Sequence, residues 1–369
     1  MTAVGAGADG AGRKGRDVTG GRAGGAVPEI HRTPELGGEL VHDWRELVAG
    51  DPDGSWFAGP DWVLAWWRTL GAGQPGEVAV WRGPDGRAEA VLPLGTARLR
   101  VHRRAPVEVP VLTLLGTGPG AADHCGPAAR PHRRAEVAAW LADRARRETL
   151  WLPNLDPAHA GLPPAGARPV ARTACPRADL AAGPDRLGSR DFRAANRRAH
   201  RRLAAAGIDF HWLPPTAARP DLLDDLLRLH RLRRAAAAGG ASSFGADRLP
   251  LHRLLVQGSA PGCGPAFQLA RRGDEVVGVL YGFRWADRFA YYQTGWDPRF
   301  AADSLGTALV DAAIRACAAE GVRTFDFLRG AEPYKYRFGA VDRTDTGWLR
   351  PRGPGGALLG LKHRLANEG

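Results

Sequence analysis

The chain has 369 residues, of which 44% are hydrophobic, so it is long enough for two packed domains and is not a disordered polymer. Its formal net charge is +12 and its pI is about 10.4. Only Lys14, Lys335 and Lys362 are lysines, and this excess of arginine is typical of a GC-rich coding sequence. The remaining charge favours an anionic partner such as a phosphate or tRNA.

The four cysteines are far apart and form no CxxC pair, so the sequence contains no zinc or thioredoxin-type motif. We therefore predict no metal site. No apolar stretch approaches the roughly 18 residues of a membrane span, and no secretory signal is recognisable. We expect a cytoplasmic protein without a membrane span.

The first half of the chain predicts an α/β unit. Residues 1–28 are rich in Gly, Ala and Arg and are predicted to be a disordered tail. An N-terminal unit over 29–160 follows, and its predicted elements are a helix at 39–49, a helix opened by Pro60, a hairpin at 77–98, a helix at 133–147 and a strand at 149–155. Trp62, Trp66 and Trp67 share one side of the second helix, which favours core packing over an aromatic ligand platform.

A Pro/Ala/Gly-rich passage at 161–188 is predicted to be a linker. A C-terminal unit over 189–352 repeats the earlier order of elements, with a hairpin at 267–285, a strand at 289–296, a helix at 304–319 and a strand in 322–330. We interpret 353–369 as a tail. The shared order predicts two copies of one unit in tandem, each a mixed, mostly antiparallel sheet flanked by helices.

The loop DSLGT, residues 303–307, precedes the helix of the second unit. Ser304 is suited to cap the helix, and Gly306 lets a ligand approach the backbone. Free N–H groups at a helix N-terminus suit a pyrophosphate, although a capped helix without a ligand is the alternative. The loop has neither the GK[ST] of a Walker A motif nor a GxGxxG fingerprint.

The segments YYQTGWDP, FAADSLGTALV, VRTFDFLRG and PYKYRFGA resemble the GNAT acyltransferase superfamily over about residues 35–350. Within it, the chain is most similar to bacterial CelD/BcsL-like acetyltransferases, which are related to the two-unit FemABX peptidyltransferases. The pyrophosphate loop of GNAT proteins commonly reads R/Q-x-x-G-x-G/A. Here Gly306 matches this form, and its first Gly is missing.

The resemblance implies that acetyl-CoA is the donor substrate and that a slot between diverging strands holds its pantetheine arm. A backbone amide in the slot would polarise the thioester carbonyl. The implied donor-binding residues are Tyr291, Tyr292, Gln293, Ser304, Leu305, Gly306 and Thr307.

The Tyr turn supplies candidate catalytic residues. The resemblance implies that the phenol of Tyr334 donates a proton to the leaving thiolate, with Tyr336 as the alternate. Asp326 alternates with two Phe residues and so faces the opposite side of its strand, while Glu332 lies just beyond the strand end. Either carboxylate could deprotonate or orient an amine, and Lys335 could bind a phosphate or carboxylate. Solvated or packed side chains are the alternative for all of them.

Residues 186–207 predict a basic helix whose arginines form a stripe. Stacked arginines repel one another in the absence of an anion. We therefore predict that Arg193, Arg197 and Arg201 bind the phosphate of a substrate, with a solvated helix face as the alternative.

Three functions follow from these features. The first is transfer of an acetyl or similar group from coenzyme A to an amine on a sugar or envelope-polymer precursor. The second is FemABX-like aminoacyl transfer from aminoacyl-tRNA, which predicts salt-dependent tRNA binding. The third is a non-catalytic GNAT-like binding protein, in which replacing Tyr334, Asp326 and Glu332 leaves cellular activity intact.

Overall fold

The computed structural model describes residues 27–102, 105–118, 122–236 and 244–367. Apart from its last two residues, the tail predicted at 1–28 lies outside these residues. Within the described ranges, thirteen strands join one sheet. The strands are β1 (Glu29–His31), β2 (Gly76–Arg82), β3 (Ala88–His102), β4 (Ala105–Leu114), β5 (Ala128–Ala129), β6 (Leu150–Leu155), β7 (Arg168–Asp179), β8 (Ile208–Leu213), β9 (Gly264–Arg272), β10 (Glu275–Trp285), β11 (Arg288–Trp296), β12 (Thr324–Asp326) and β13 (Val341–Arg350).

Helices pack on this sheet, and those predicted from the sequence begin and end within a few residues of the expected positions. They are α1 (Gly38–Gly50), α2 (Pro60–Arg68), α3 (Arg134–Arg144), α4 (Arg190–Ala205), α5 (Leu222–Ala236), α6 (Leu249–Gln257), α7 (Leu305–Ala319), α8 (Pro333–Arg337) and α9 (Gly353–Asn367).

The two halves of the chain repeat one order of elements. The N-terminal unit runs β1-α1-α2-β2-β3-β4-α3-β6-β7, and the C-terminal unit runs β8-α5-α6-β9-β10-β11-α7-β12-β13. In each unit one strand pair is parallel, β4 with β6 and β11 with β12, while the neighbouring pairs are antiparallel. The predicted fold class, two GNAT-like units in tandem, is therefore confirmed.

The units exchange their last strands at the centre of the sheet. The order β1-β2-β3-β4-β6-β13-β7-β12-β11-β10-β9-β8 places β13 of the second unit beside β6 of the first. Strand β7 of the first unit pairs with β12 of the second. Because each unit completes the other, the sheet is continuous across them.

The structure corrects two predicted boundaries. The predicted linker at 161–188 contains β7, which pairs with both β12 and β13. Its Pro and Ala content hid a strand that is covered on both edges. The predicted tail at 353–369 contains α9, whose Leu359 is fully buried. Helix α9, near the end of the chain, thus packs on strands β3, β4 and β7 of the N-terminal unit.

An aromatic cluster packs the N-terminal helices against the second unit. Trp56 stacks on Phe283 of β10 with ring centroids 5.2 Å apart, and Trp62 meets the same ring edge-on. Trp62, Trp66 and Trp67 are all buried, so the core interpretation of these residues is confirmed. Burial of such large rings fixes the two units relative to each other.

Candidate active site

A slot opens where β11 and β12 part. These parallel strands pair from Arg288↔Thr324 to Ala290↔Asp326, and then diverge. Beyond this point lies a cavity of about 310 Å³, lined by Tyr291–Thr294 of β11, Phe327–Arg329, Glu332, Tyr334 and Lys335, together with Asp123, Arg233 and Phe244. The structure thus brings Tyr291, Tyr292 and Gln293 into one cavity with Tyr334, Glu332 and Lys335.

Strand β11 carries a β-bulge at this cavity. Tyr281 lies opposite Gln293 and Gly282 lies opposite Tyr291, so Tyr292 is the extra residue. A bulge turns backbone groups away from the regular ladder and re-aims them, commonly next to active sites. The bulge therefore interrupts the regular ladder at the point where β11 lines the cavity.

The phenol of Tyr334 lies on the opposite wall of the slot. Burial raises the pKa of Tyr334 far above its ordinary value, and a hydrogen bond with Tyr291 contributes to the rise. The phenol is therefore protonated at neutral pH, and its raised pKa makes it a weaker acid than an ordinary tyrosine. Tyr336, the alternate, is exposed, donates to Asp342 at 2.7 Å and lines a different groove.

Lys335 is buried, and its ammonium organises the turn that forms one wall. Its Nζ donates to the carbonyls of Leu328, Arg329 and Gly330 at 3.2, 2.8 and 2.9 Å, and lies 2.9 Å from a carboxylate oxygen of Glu332. Leu328 has φ +56, a left-handed conformation that costs energy for this residue type. The lysine thus holds a strained turn, while the Glu332 carboxylate stays accessible.

Asp123 and Arg329 are cavity residues that the sequence analysis missed. The buried Asp123 carboxylate accepts from Nε of Arg329 at 2.5 Å and from its backbone N–H at 3.1 Å. Burial raises the pKa of Asp123 above its ordinary value, and the guanidinium opposes this rise. The two residues are 206 positions apart in the chain. No local pattern signals a contact between residues of two different units.

Asp326 does not face this cavity, which removes it as a candidate base. Its carboxylate lies 3.0 Å from Nε2 of His124 and accepts from the backbone N–H of Leu328. Although burial opposes the change, these partners lower the pKa of Asp326, and a lowered pKa makes it a weaker base. The predicted alternation was right, since Asp326 does face away from Phe325 and Phe327, but that side meets the other unit.

His124 is the centre of a buried ionic network between the units. Its Nδ1 lies 2.8 Å from Asp345 and 3.6 Å from Asp156, which in turn pairs with Arg343. Although burial opposes it, the carboxylates of Asp326 and Asp345 hold the pKa of His124 well above 6.5, so the ring is an imidazolium.

Within the described residues, His124, Asp345 and Cys175 are close enough to share a metal ion. Burial strongly raises the pKa of the Cys175 thiol, and metals bind the thiolate. This chemistry favours an ionic network over a metal site.

The predicted phosphate loop lies apart from the cavity wall. Ser304 is the N-cap residue of α7, as predicted, but it adopts φ +62 and its side chain makes no cap hydrogen bond. A Cβ on Gly306 would lie 2.7 Å from Nε1 of Trp296, so this glycine is required for packing against the indole. Leu305 is fully buried, and Asp303 pairs with Arg202 of α4 at 3.2 Å. Helix α7 still begins here, after the end of β11.

The arginine helix does not reach the cavity either. Asn196 and His200 of α4 contact Asp311 of α7, so α4 packs along α7. Arg193 donates to the carbonyl of Gly188, whereas Arg197 and Arg201 are exposed. The predicted substrate-binding arginines therefore lie on an outer surface of the C-terminal unit.

The N-terminal unit contains a matching cleft. Strands β4 and β6 pair only at Leu112↔Leu150 and Thr113↔Trp151, and a cavity of about 490 Å³ opens beyond them. Arg329 lines both this cavity and the one beside Tyr334. The two clefts thus meet at the Asp123–Arg329 ion pair.

Comparisons with known proteins agree with this geometry. Residues 190–336 match the model of a family described as an acetyltransferase (GNAT) domain. No curated protein sequence matches the chain. No helix among the described residues is long and apolar enough to cross a lipid bilayer.

Solved structures share the fold at low sequence identity. The crystal structure of FemX is 10% identical with a TM-score of 0.61, covering 87% of this chain and 97% of its own. The C-terminal domain of a putative lysylphosphatidylglycerol synthetase from Agrobacterium fabrum is 14% identical with a TM-score of 0.55, covering 89% and 96%. Residues 190–336 thus form a GNAT acetyltransferase domain, and the chain has the two-unit fold of FemX over 87% of its length.

Proposed function

We propose that the protein transfers an acetyl or similar acyl group from coenzyme A to an amine. The observation that carries this proposal is the slot in which the bulged strand β11 faces the protonated phenol of Tyr334. A thioester held there has a backbone donor for its carbonyl on one side and a proton donor for its sulfur on the other. These are the two needs of thioester aminolysis.

The residues of the chain divide the chemistry between them. Backbone of Tyr291, Tyr292 and Gln293 holds the acyl arm and stabilises the oxyanion that forms on attack. Tyr334 then gives its phenolic proton to the departing thiolate. Lys335 keeps the turn after β12 in place. Residues 303–307 lie where α7 begins and remain the proposed place for the pyrophosphate.

Asp123 is the proposed proton acceptor for the attacking amine, in place of Asp326. Its raised pKa makes it a stronger base than an ordinary aspartate, and it lines the donor cavity. Glu332, also on that cavity, is the alternate. In Asp123→Asn, kcat/KM should fall and lose its dependence on pH at the acid limb. An unchanged pH profile would assign the proton to Glu332 or to solvent.

The acceptor is proposed to enter through the N-terminal cleft, which meets the donor cavity at Arg329. This side chain is partly exposed and could exchange Asp123 for an anionic group of the acceptor. An amine on a sugar or envelope-polymer precursor, as in CelD/BcsL-like proteins, fits such a cleft. The cytoplasm remains the proposed location.

A second candidate donor is aminoacyl-tRNA. The exposed Arg197 and Arg201 of α4 favour it, because arginines on an open surface suit a phosphate backbone. The chain also has the fold of FemX over 87% of its length.

Calorimetric titration of the full chain with acetyl-CoA separates the donors, with Arg197→Gln/Arg201→Gln as a paired variant. Micromolar acetyl-CoA binding that the paired variant retains would support the proposal. Absence of acetyl-CoA binding, together with tRNA binding that falls steeply with salt and is lost in the variant, would replace it with the second candidate. Binding of neither donor would favour a non-catalytic role.

A further inference from the structure

Helix α9 presents a row of leucines to solvent. Leu358, Leu361 and Leu365 have exposed fractions of 47%, 49% and 62%. Their spacing of three and four residues places them on one helix face, while Leu359 on the opposite side is fully buried with Val109 and other strand residues. The leucine row therefore does not belong to the core contact of this helix.

Positive charge flanks the row on both sides. On a helical wheel, Lys362 and Arg364 fall on either side of the three leucines, and both are exposed, although Nζ of Lys362 also donates to the carbonyl of Arg100 at 2.8 Å. Arg352, just before the helix, is also exposed, and the sequence from 346 to 367 contains no acidic residue. Val107, at 47% exposure on β4, lies on the same side of its strand as Val109.

We propose that this α9 face docks the protein on the surface of an anionic lipid bilayer. The leucines would enter the boundary between headgroups and acyl chains, and Lys362 and Arg364 would lie over lipid phosphates. Their aliphatic stems can follow the apolar surface while the charges stay in water. A helix lying in the interface needs this arrangement of an apolar centre with cationic edges.

Charge argues against the other occupants of this face. In a symmetric dimer through α9, each Lys362 and Arg364 would approach the same cations of a second copy. Residues 1–26 of the chain offer only Met1, Val4 and Val18 as larger apolar side chains, and carry an excess of basic residues over acidic ones. The charge of an anionic bilayer is complementary to this α9 face, whereas the charges of a second copy and of residues 1–26 are not.

Sedimentation with vesicles tests the proposal on the full chain. Phosphatidylcholine vesicles containing phosphatidylglycerol should bind the protein, and pure phosphatidylcholine vesicles should bind it far more weakly. Because each cation near an anionic surface strengthens binding about fivefold, Lys362→Gln/Arg364→Gln should lose roughly 25-fold in affinity. Leu361→Gln/Leu365→Gln should lose on the order of tenfold even at low salt.

Matched variants on other surfaces provide the controls. Arg146→Gln/Arg147→Gln removes the same charge at the end of α3, and Val341→Gln removes an exposed apolar side chain of β13. Both should bind like the wild type. Equal losses in the control and α9 variants would overturn the proposal in favour of a nonspecific charge effect. A dimer in analytical ultracentrifugation that Leu361→Gln/Leu365→Gln dissociates would overturn it in favour of a second copy, as would absence of binding to the anionic vesicles.

Discussion

The two clefts of the molecule have the same backbone origin and different chemistry. In each, a parallel strand pair holds for two or three residues and then parts, leaving a cavity. Both clefts have a strand with a register shift, β11 at Tyr292 and β6 at Pro153–Asn154, but within the two linings only the C-terminal cleft has a tyrosine phenol, the half-buried Tyr334 and its neighbours on β11. In the N-terminal cleft, β6 continues into Pro153 and Asn154, and Thr113 and Thr117 of the facing wall contact each other at 3.3 Å.

This difference shows that the repeated fold supplies the opening while a few side chains supply the chemistry. The N-terminal cleft has mixed walls, with Thr, Gln, Arg and Asn side chains among apolar ones, and within its lining no side chain matches Tyr334. Duplication of the unit thus makes two adjacent sites that can be specialised separately. The Asp123–Arg329 pair, with one member from each unit, lies where the two meet.

The largest expected effect tests the side chain that distinguishes the clefts. Tyr334→Phe removes the phenolic proton and keeps the ring, so kcat should fall by about 10³-fold with little change in acetyl-CoA affinity. Steady-state kinetics and calorimetry on the same preparations measure both quantities. Tyr336→Phe is the matched control, because its hydroxyl bonds Asp342 outside the cavity, and it should keep wild-type kcat. Equal kcat in both variants would remove Tyr334 from the chemistry.

The next largest effect is expected on stability, when the ionic network between the two units is disrupted at His124. His124→Asn keeps a residue type that tolerates the positive φ of 49° but removes the buried positive charge beside Asp345 and Asp326. Leaving these carboxylates uncompensated should lower the free energy of unfolding by about 3 kcal/mol, as measured by urea denaturation.

The pH dependence of stability gives a second measure of the same network. Because the pKa of His124 is raised in the fold, its contribution to the free energy of unfolding is fully present below pH 6.5. That contribution is lost as the pH rises through the pKa of the folded state. The lowered pKa of Asp326 gives the opposite limb, since its contribution is present above 3.8 and is lost as pH falls through the folded value. The alkaline loss should be present in the wild type and absent from His124→Asn. A similar loss in the variant would assign it to another group.

Sequence patterns predicted the repeated unit but not the way its copies join. The order of hairpin, strand, helix and strand is local, and so β11, α7 and the Tyr334 turn were placed correctly. Strand β7 was missed because its stability comes from two partner strands distant in sequence and not from its own composition. For the same reason, the sequence did not show that Asp123 lines the cavity and that Asp326 does not. Which carboxylate faces a cavity depends on contacts between units, and no periodicity encodes these.

The smallest effect comes from obstructing each cleft in turn. Gln293 is half-buried on the wall of the C-terminal cleft, and Thr96 is exposed at the edge of the N-terminal one, so both positions can accept a larger side chain. Gln293→Trp should weaken acetyl-CoA binding about tenfold, because a bulky ring in a preformed pocket displaces ligand contacts. Thr96→Trp should leave that affinity unchanged and raise KM for the amine acceptor by about the same factor.

The pair of variants can break the division of labour between the clefts. If Thr96→Trp weakens acetyl-CoA binding and Gln293→Trp does not, the donor and acceptor assignments of the two clefts must be exchanged. The phenol of Tyr334 would then lie in the wrong cleft to protonate the leaving thiolate. If each variant weakens both ligands, the clefts act as one site, with Arg329 moving between them. Separate effects in the predicted directions would mean that the C-terminal cleft holds the donor and the N-terminal cleft holds the acceptor. Each variant obstructs the wall of only one cleft, so each effect can be assigned to that cleft.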